Sequence, residues 1–206
     1  MNLKKAVYTF SFAALALLAV AKTGDNVFPT KVGATWWYTG SAGANQFNPI
    51  CKISSSKMSG NATQVVMQWT FNNQNIQTET YRVTATEVAR VQSGAGGATK
   101  INPPVPIIKY PLSVGKSWTW KGTITTNGTA VPGTASLKVG AMETIKSAAG
   151  TFSAYRVDMN LTVSAQGQSL TIPNSYWFAP GKGMVKQRAS LGGTNIEAVV
   201  SKMSGQ

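Results

Sequence analysis

The chain has 206 residues, with 19 Lys and Arg against six Asp and Glu, no histidine and one cysteine, for a formal net charge of +13. The lack of histidine excludes Ser-His-Asp and Cys-His nucleophile systems and imidazole metal sites, and one thiol excludes an internal disulfide framework and a structural zinc. The basic excess favours anionic surfaces at long range, yet its residues are scattered singly, as suits a solvated surface.

Met1–Ala21 reads as a signal peptide. Lys4 and Lys5 precede an apolar run from Ala6 to Val20, and Ala19-Val20-Ala21 is a small-x-small cleavage site. That run, about fifteen residues, is short for a bilayer span. No cysteine follows Ala21 to carry a lipid anchor, so the sequence predicts an exported periplasmic or extracellular protein, not transmembrane after processing. Without Lys4 and Lys5 the basic residues fall to 17 against six acids, a net charge of +11.

A thirteen-residue phrase then occurs twice, as Phe28–Gly40 and Tyr110–Gly122. Pro29/Pro111, Val32/Val114, Gly33/Gly115, Trp36/Trp118 and Gly40/Gly122 are identical. Repetition at a fixed spacing is an architectural signal and predicts two related units. Proline sets the chain extended, glycine supplies a turn or close approach, and Trp-x-aromatic puts two rings on one strand face. Trp36 with Tyr38, and Trp118 with Trp120, are therefore core anchors. Trp37 occupies the opposite face, where the second copy has Thr119. This departure makes it a candidate platform for a sugar ring or partner, the alternative being packing under a loop.

Cys51 reads as a small buried apolar residue, the alternative being an intermolecular disulfide. Val65, Met67, Trp69 and Phe71 alternate with polar neighbours, Asn72–Asn75 makes a turn, and Ile76–Ala85 forms the hairpin partner, with Tyr81 and Val83 on a common face. Val88–Val91 continues the meander. Ser93–Ala98 is Gly-rich and Asn102–Pro106 Pro-rich, which predicts a connector at 100–109 between a first unit, 22–99, and a second, 110–206. Ala135, Leu137 and Val139 lead to a bulge at Gly140. Tyr155, Val157, Met159, Leu161 and Val163 alternate strictly with polar residues, the signature of an antiparallel sheet with one wet face. Tyr176–Phe178, Met184–Arg188 and Asn195–Ser201 complete the strands.

Catalytic chemistry finds little support. No Asp-x-Asp or Glu-x-Glu spacing favours a carboxylate hydrolase, and no loop of alternating acids suggests calcium. Ser54-Ser-Ser-Lys57 and Ser113-Val-Gly-Lys116 match Ser-x-x-Lys but lack the companion Ser-Asp-Asn element. Lys182, Lys186 and Arg188 form the densest local positive charge, with Met184 predicted on the same face, and are the candidate anion contacts. No cofactor or metal is implied. Nucleic acid is disfavoured for an exported chain without interleaved basic and aromatic residues. Short strands and a Lys-Met-Ser-Gly-Gln terminus argue against an outer-membrane barrel.

Tyr110-Pro-x-x-Val-Gly-x-Ser-Trp118, Ala149-Gly-Thr-Phe152 leading into Tyr155-Arg-Val157, and Tyr176-Trp-Phe-Ala-Pro-Gly-x-Gly-Met-Val-Lys186 together resemble a motif set of bacterial exported β-domain proteins with no agreed activity. These are loosely similar to half-barrel envelope domains of the LolA/LolB kind. The resemblance implies an exported compartment and a curved sheet.

The sequence thus predicts an all-β antiparallel protein whose two pseudo-repeats form a curved sheet, half-barrel or sandwich with a shared aromatic core. Its predicted function is a non-catalytic envelope or extracellular module that binds a partner, polysaccharide or anionic envelope component. The first alternative is a carrier holding an apolar ligand or lipid in a cavity lined by residues such as Met67, Trp69, Met159 and Leu161. The second is a carboxylate-based hydrolase.

Overall fold

The computed structural model describes Asn26–Gln206, so the expected signal segment, the cleavage point and Asp25 lie outside the described residues. Among the described residues, thirteen strands follow one another. They are β1 (Thr35–Ala42), β2 (Asn45–Phe47), β3 (Ile50–Ser59), β4 (Ala62–Phe71), β5 (Gln74–Val83), β6 (Glu87–Ser93) and β7 (Thr99–Lys109). The second half holds β8 (Ser117–Thr126), β9 (Thr129–Ser147), β10 (Gly150–Ala165), β11 (Gln168–Ala179), β12 (Gly183–Leu191) and β13 (Thr194–Ser204). From β3 onward each strand pairs antiparallel with the next, and β1 takes β3 and the short β2 along one edge.

The other edge of β1 pairs with β13, from Thr35↔Ser204 to Ala42↔Ile196. This ladder closes the sheet into a twelve-strand barrel with β2 as an extra strand, and corrects the expectation of a half-barrel or sandwich. The physical reason is that an open sheet leaves two rows of unpaired backbone groups, whereas closure satisfies both.

Alternation along the strands gives the barrel an apolar inside and a polar outside. Trp36, Tyr38, Ile53, Val65, Leu137, Val157 and Phe178 are buried in one continuous core. Cys51 is buried with them, which removes it from intermolecular pairing. Outside lie the ion pairs of Arg82, Arg156, Lys186 and Arg188, the reverse of the lipid-facing apolar band that a membrane barrel needs. Among the described residues, no helix is long and apolar enough to cross a membrane. Val27 and Phe28, 0% and 4% exposed, plug one end of the lumen, where Asn26 O accepts the amide of Gly181. Trp36 and Tyr38 reach the same end, donating through Nε1 and Oη to the carbonyls of Lys182 and Met184.

Both copies of the repeated phrase fold into the same corner. Gly33 and Gly115 sit at φ +89° and +87°, where a side chain would be strained. Their amides donate to Ile53 O and Val139 O, each at 2.9 Å, and Ile53 and Val139 donate back to Ala34 O and Lys116 O. The rings that follow are buried as the strand parity requires: Trp36 1%, Tyr38 2%, Trp118 9% and Trp120 6% exposed. The last shared residue marks a close approach, since a Cβ on Gly122 would fall 2.5 Å from Trp120 and 2.6 Å from Asn102 O.

The Pro-rich segment expected to be a connector is strand β7. It pairs with β8 only over Thr99–Asn102, because Pro103, Pro104 and Pro106 have no N–H to give. Indole groups fill the gap: Trp120 Nε1 donates to Pro103 O at 2.8 Å and Trp118 Nε1 to Pro106 O at 2.7 Å. The second phrase thus ties its strand to its neighbour where backbone pairing fails. Gly140 sits at the expected bulge, opposite Arg156, and a Cβ there would lie 2.9 Å from that guanidinium.

Candidate functional site

The end opposite the Val27–Phe28 plug is open. A cavity of about 680 Å³ lies inside it, walled by Phe47, Phe71, Ile196 and Ala189 among others. This is the size that small-molecule sites commonly have. Its rim follows from the turns: Asn72 and Asn73, at φ +50° and +61°, fold the tight β4–β5 hairpin that presents Phe71 and Ile76. Phe47 of β2 meets Phe71 edge-on, 6.4 Å between centroids, so the extra strand supplies part of the mouth.

Five residues line both this cavity and a void of about 30 Å³ beneath it: Trp69, Glu79, Arg90, Tyr176 and Gln187. They form the floor. Parity on β4, β5 and β6 turns Trp69, Glu79 and Arg90 inward, because Met67↔Glu79 and Tyr81↔Arg90 are cross-strand pairs. Glu79, 4% exposed, accepts Trp69 Nε1 at 2.9 Å and forms an ion pair with Arg90, its carboxylate 3.1 Å from Nη2. Arg90 also donates through Nε and Nη2 to Tyr81 Oη. Its guanidinium carbon lies 5.5 and 5.9 Å from the Tyr81 and Tyr176 ring centroids.

Burial alone would favour neutral Arg90, but the Glu79 carboxylate and the Tyr81 and Tyr176 phenols outweigh it and push the pKa above its ordinary value. Burial likewise raises the Tyr81 phenol and the Cys51 thiol, with Glu79 adding to both. Arg90 Nη1, Tyr176 Oη and the side-chain amides of Gln77 and Gln187 have no hydrogen-bond partner among the described residues. Among the described residues no buried polar side-chain atom is left unpaired, so these groups open onto accessible space in the lumen.

The residues singled out from the sequence lie elsewhere. Trp37 is half-buried on the outer wall, paired across strands with Ile50 and Lys202, and the Lys202 ammonium lies 4.9 Å from its ring. Lys186 and Arg188 share the outer face of β12, where both bond Glu197, at 3.0 and 2.6 Å, and stand over the Trp177 ring. Burial would raise the Glu197 carboxyl, but the hydrogen bonds from Arg188 and Lys186 outweigh it and hold the pKa below its usual value. Met184 is not on that face. A bulge between Trp177 and Phe178 shifts the register, pairs Met184 with Phe178 and turns it inward. Lys182 is exposed in the β11–β12 turn, at the plugged end.

The acids are dispersed. Glu143 and Asp158 both bond Arg156 on the outer wall, Glu87 pairs with Arg82, and among the described residues Glu79 is the one acid lining the mouth cavity. Among the described residues, no group of acidic and thiol side chains could hold a metal ion. Lys116, of the second Ser-x-x-Lys match, spends its ammonium on the carbonyls of Lys109, Tyr110 and Pro111. Trp69 lines both cavities, but Met67 lines only the small lower void, and Met159 and Leu161 pack in or against the core. Sequence reasoning missed Glu79 and Arg90. The signal was parity: placing Tyr81 inward also places Glu79 inward, and Val88 likewise places Arg90.

No protein-family model matches the chain, and no curated protein matches its sequence. Solved structures do. A candidate lipoprotein from Parabacteroides distasonis superposes with a TM-score of 0.62 at 12% identity, covering 86% of this chain and 98% of that one. A candidate exported protein with a YmcC-like fold, from Bacteroides fragilis, superposes with a TM-score of 0.57, again at 12% identity and over 86% and 98% of the two chains. At this identity the likeness shows the fold alone: the chain has the closed antiparallel architecture of a YmcC-like protein.

Proposed function

We propose that this protein is an exported, non-catalytic binding module that holds a small ligand in the open mouth of its barrel. The observation that carries this reading is the cavity of about 680 Å³, open at one end and floored by polar groups that the protein leaves available. Rigid strands on all sides fix those groups, as preorganised binding requires. The exported compartment is supported by the names of the two structural neighbours and by the signal-like Met1–Ala21. The non-catalytic part is supported by Glu79, whose carboxylate is occupied by Trp69 and Arg90 and faces no second acid across the cavity.

We favour the lumen over the outer wall. Lys186 and Arg188 are already neutralised in part by Glu197, so little of their charge is left for a ligand. The test is an NMR titration of the protein with a panel of neutral methyl glycosides, laurate, citrate and the neutral dye N-phenyl-1-naphthylamine. At least one class is expected to shift the Trp69 indole and Gln187 amide resonances, and Ala189→Trp, which fills the mouth, to abolish the shifts. Silence from every class at millimolar concentration would sink the proposal.

A further inference from the structure

The polar groups of the lumen narrow the ligand class. We propose that the mouth cavity takes a neutral, hydroxyl-rich ligand, a sugar residue or the end of a short glycan, whose hydroxyls pair with Arg90, Tyr176, Gln77 and Gln187. This rests on the reading of the cavity as a ligand site and goes one step further.

Charge is the first argument. The chain is basic overall, with 19 basic against six acidic residues, but among the described residues the cavity is lined by a single cation and a single anion, paired with one another at 3.1 Å. A carboxylate or phosphate entering here would meet Glu79 as well as Arg90, with no second cation to repay its lost hydration. An anionic ligand is thereby disfavoured in this cavity.

Unspent hydrogen-bonding capacity is the second. Arg90 Nη1 is donor-only, Tyr176 Oη both gives and accepts, and the Gln77 and Gln187 amides present both kinds of group. An alkyl chain would strip water from all four and return nothing, which argues against the apolar carrier. A hydroxyl, donor and acceptor at once, answers each of them.

Aromatic lining is the third. Trp69 is held by its Nε1 bond to Glu79 and by the Tyr38 ring, 5.3 Å away and 30° inclined, and its remaining surface lines the cavity beside Phe71 and Phe47. A pyranose offers an apolar C–H face with hydroxyls at its edge, so one ring satisfies a flat aromatic wall and a polar floor together.

The test compares probes that differ in charge and polarity: neutral methyl glycosides of glucose, galactose, mannose and N-acetylglucosamine with their disaccharides, methyl glucuronide, and laurate. Each is titrated into the protein while the Trp69 indole and Gln187 amide resonances are followed. A neutral saccharide is expected to bind, and Gln187→Leu and Gln77→Leu, which leave the Glu79–Arg90 pair intact, to weaken it about tenfold each. Glucuronide binding more tightly than glucoside, or laurate binding while every saccharide is silent, overturns the inference and leaves the cavity reading standing. Silence from all probes overturns both.

Discussion

Removing the Glu79 carboxylate tests how the barrel tolerates charge in its lumen. Glu79 is 4% exposed, accepts one hydrogen bond from Trp69 Nε1 at 2.9 Å and pairs with the Arg90 guanidinium, Nη2 lying 3.1 Å away. Glu79→Leu strands the Arg90 guanidinium, whose side chain is 15% exposed, with only Tyr81 Oη to bond it. Breaking a buried pair from one side typically costs about 3–5 kcal/mol, and the unpaired indole N–H adds to this. Water entering through the open mouth repays part of the Arg90 penalty, so the expected loss is about 3 kcal/mol. Adding Arg90→Met removes the second charge and should recover about 2 kcal/mol of that loss, because two apolar side chains replace a desolvated pair. Urea denaturation followed by tryptophan fluorescence measures both, with the slope m held constant across variants. A loss below about 1 kcal/mol for Glu79→Leu, or strictly additive effects, would show the pair to be screened like a surface one and refute the reasoning.

Other outcomes follow from the same packing. Trp120→Phe removes the indole bond to Pro103 O where β7 has no N–H to pair, and should lower stability by about 2–3 kcal/mol in the same assay, whereas exposed Thr119→Ala should stay within about 0.5 kcal/mol. Gly122→Ala puts a Cβ 2.6 Å from Asn102 O and is expected to cost about 2 kcal/mol or more, read as a drop in Tm. Glu197→Gln should cost under about 1 kcal/mol at pH 7. Because its folded pKa is lowered, that contribution exists above the unfolded value near ~4.3 and is lost as pH falls through the folded value, so wild type and variant converge in acid. In alkali the sign reverses: burial pushes the Tyr110 phenol up to about 12 and raises Tyr38 and Tyr81 as well. Their stabilisation is full below the unfolded value of about 10 and drains away above it, and Tyr110→Phe should flatten part of that decline in a pH series of urea melts.

Local order was largely legible in the sequence, and closure was not. The alternation of Val65 to Phe71 and of Tyr155 to Val163 and the bulge at Gly140 stand where residue pattern places them, and the turn expected over Asn72–Asn75 tightens to Asn72-Asn73, with Gln74 and Asn75 opening β5; each is set by neighbours a few positions away. The β1–β13 ladder depends on Trp37 meeting Lys202, and no local pattern encodes a register between chain ends. A single bulge at Trp177/Phe178 was enough to reverse the expected face of Met184. The candidate site divided along the same line. Charge density pointed to Lys182, Lys186 and Arg188 on the outside, while Glu79 and Arg90 looked ordinary in composition and became distinctive only once parity turned them into the lumen.

The central claim is that binding belongs to the mouth of the barrel. Saturation-transfer NMR on the panel of glycosides, laurate and naphthylamine tests it directly when run in parallel on three proteins: wild type, Ala189→Trp, and Lys186→Gln with Arg188→Gln. The account predicts that the signal of whichever probe binds wild type disappears with the plugged mouth and survives loss of the outer-wall charges. Retained signal in Ala189→Trp together with lost signal in the outer-wall variant would contradict it.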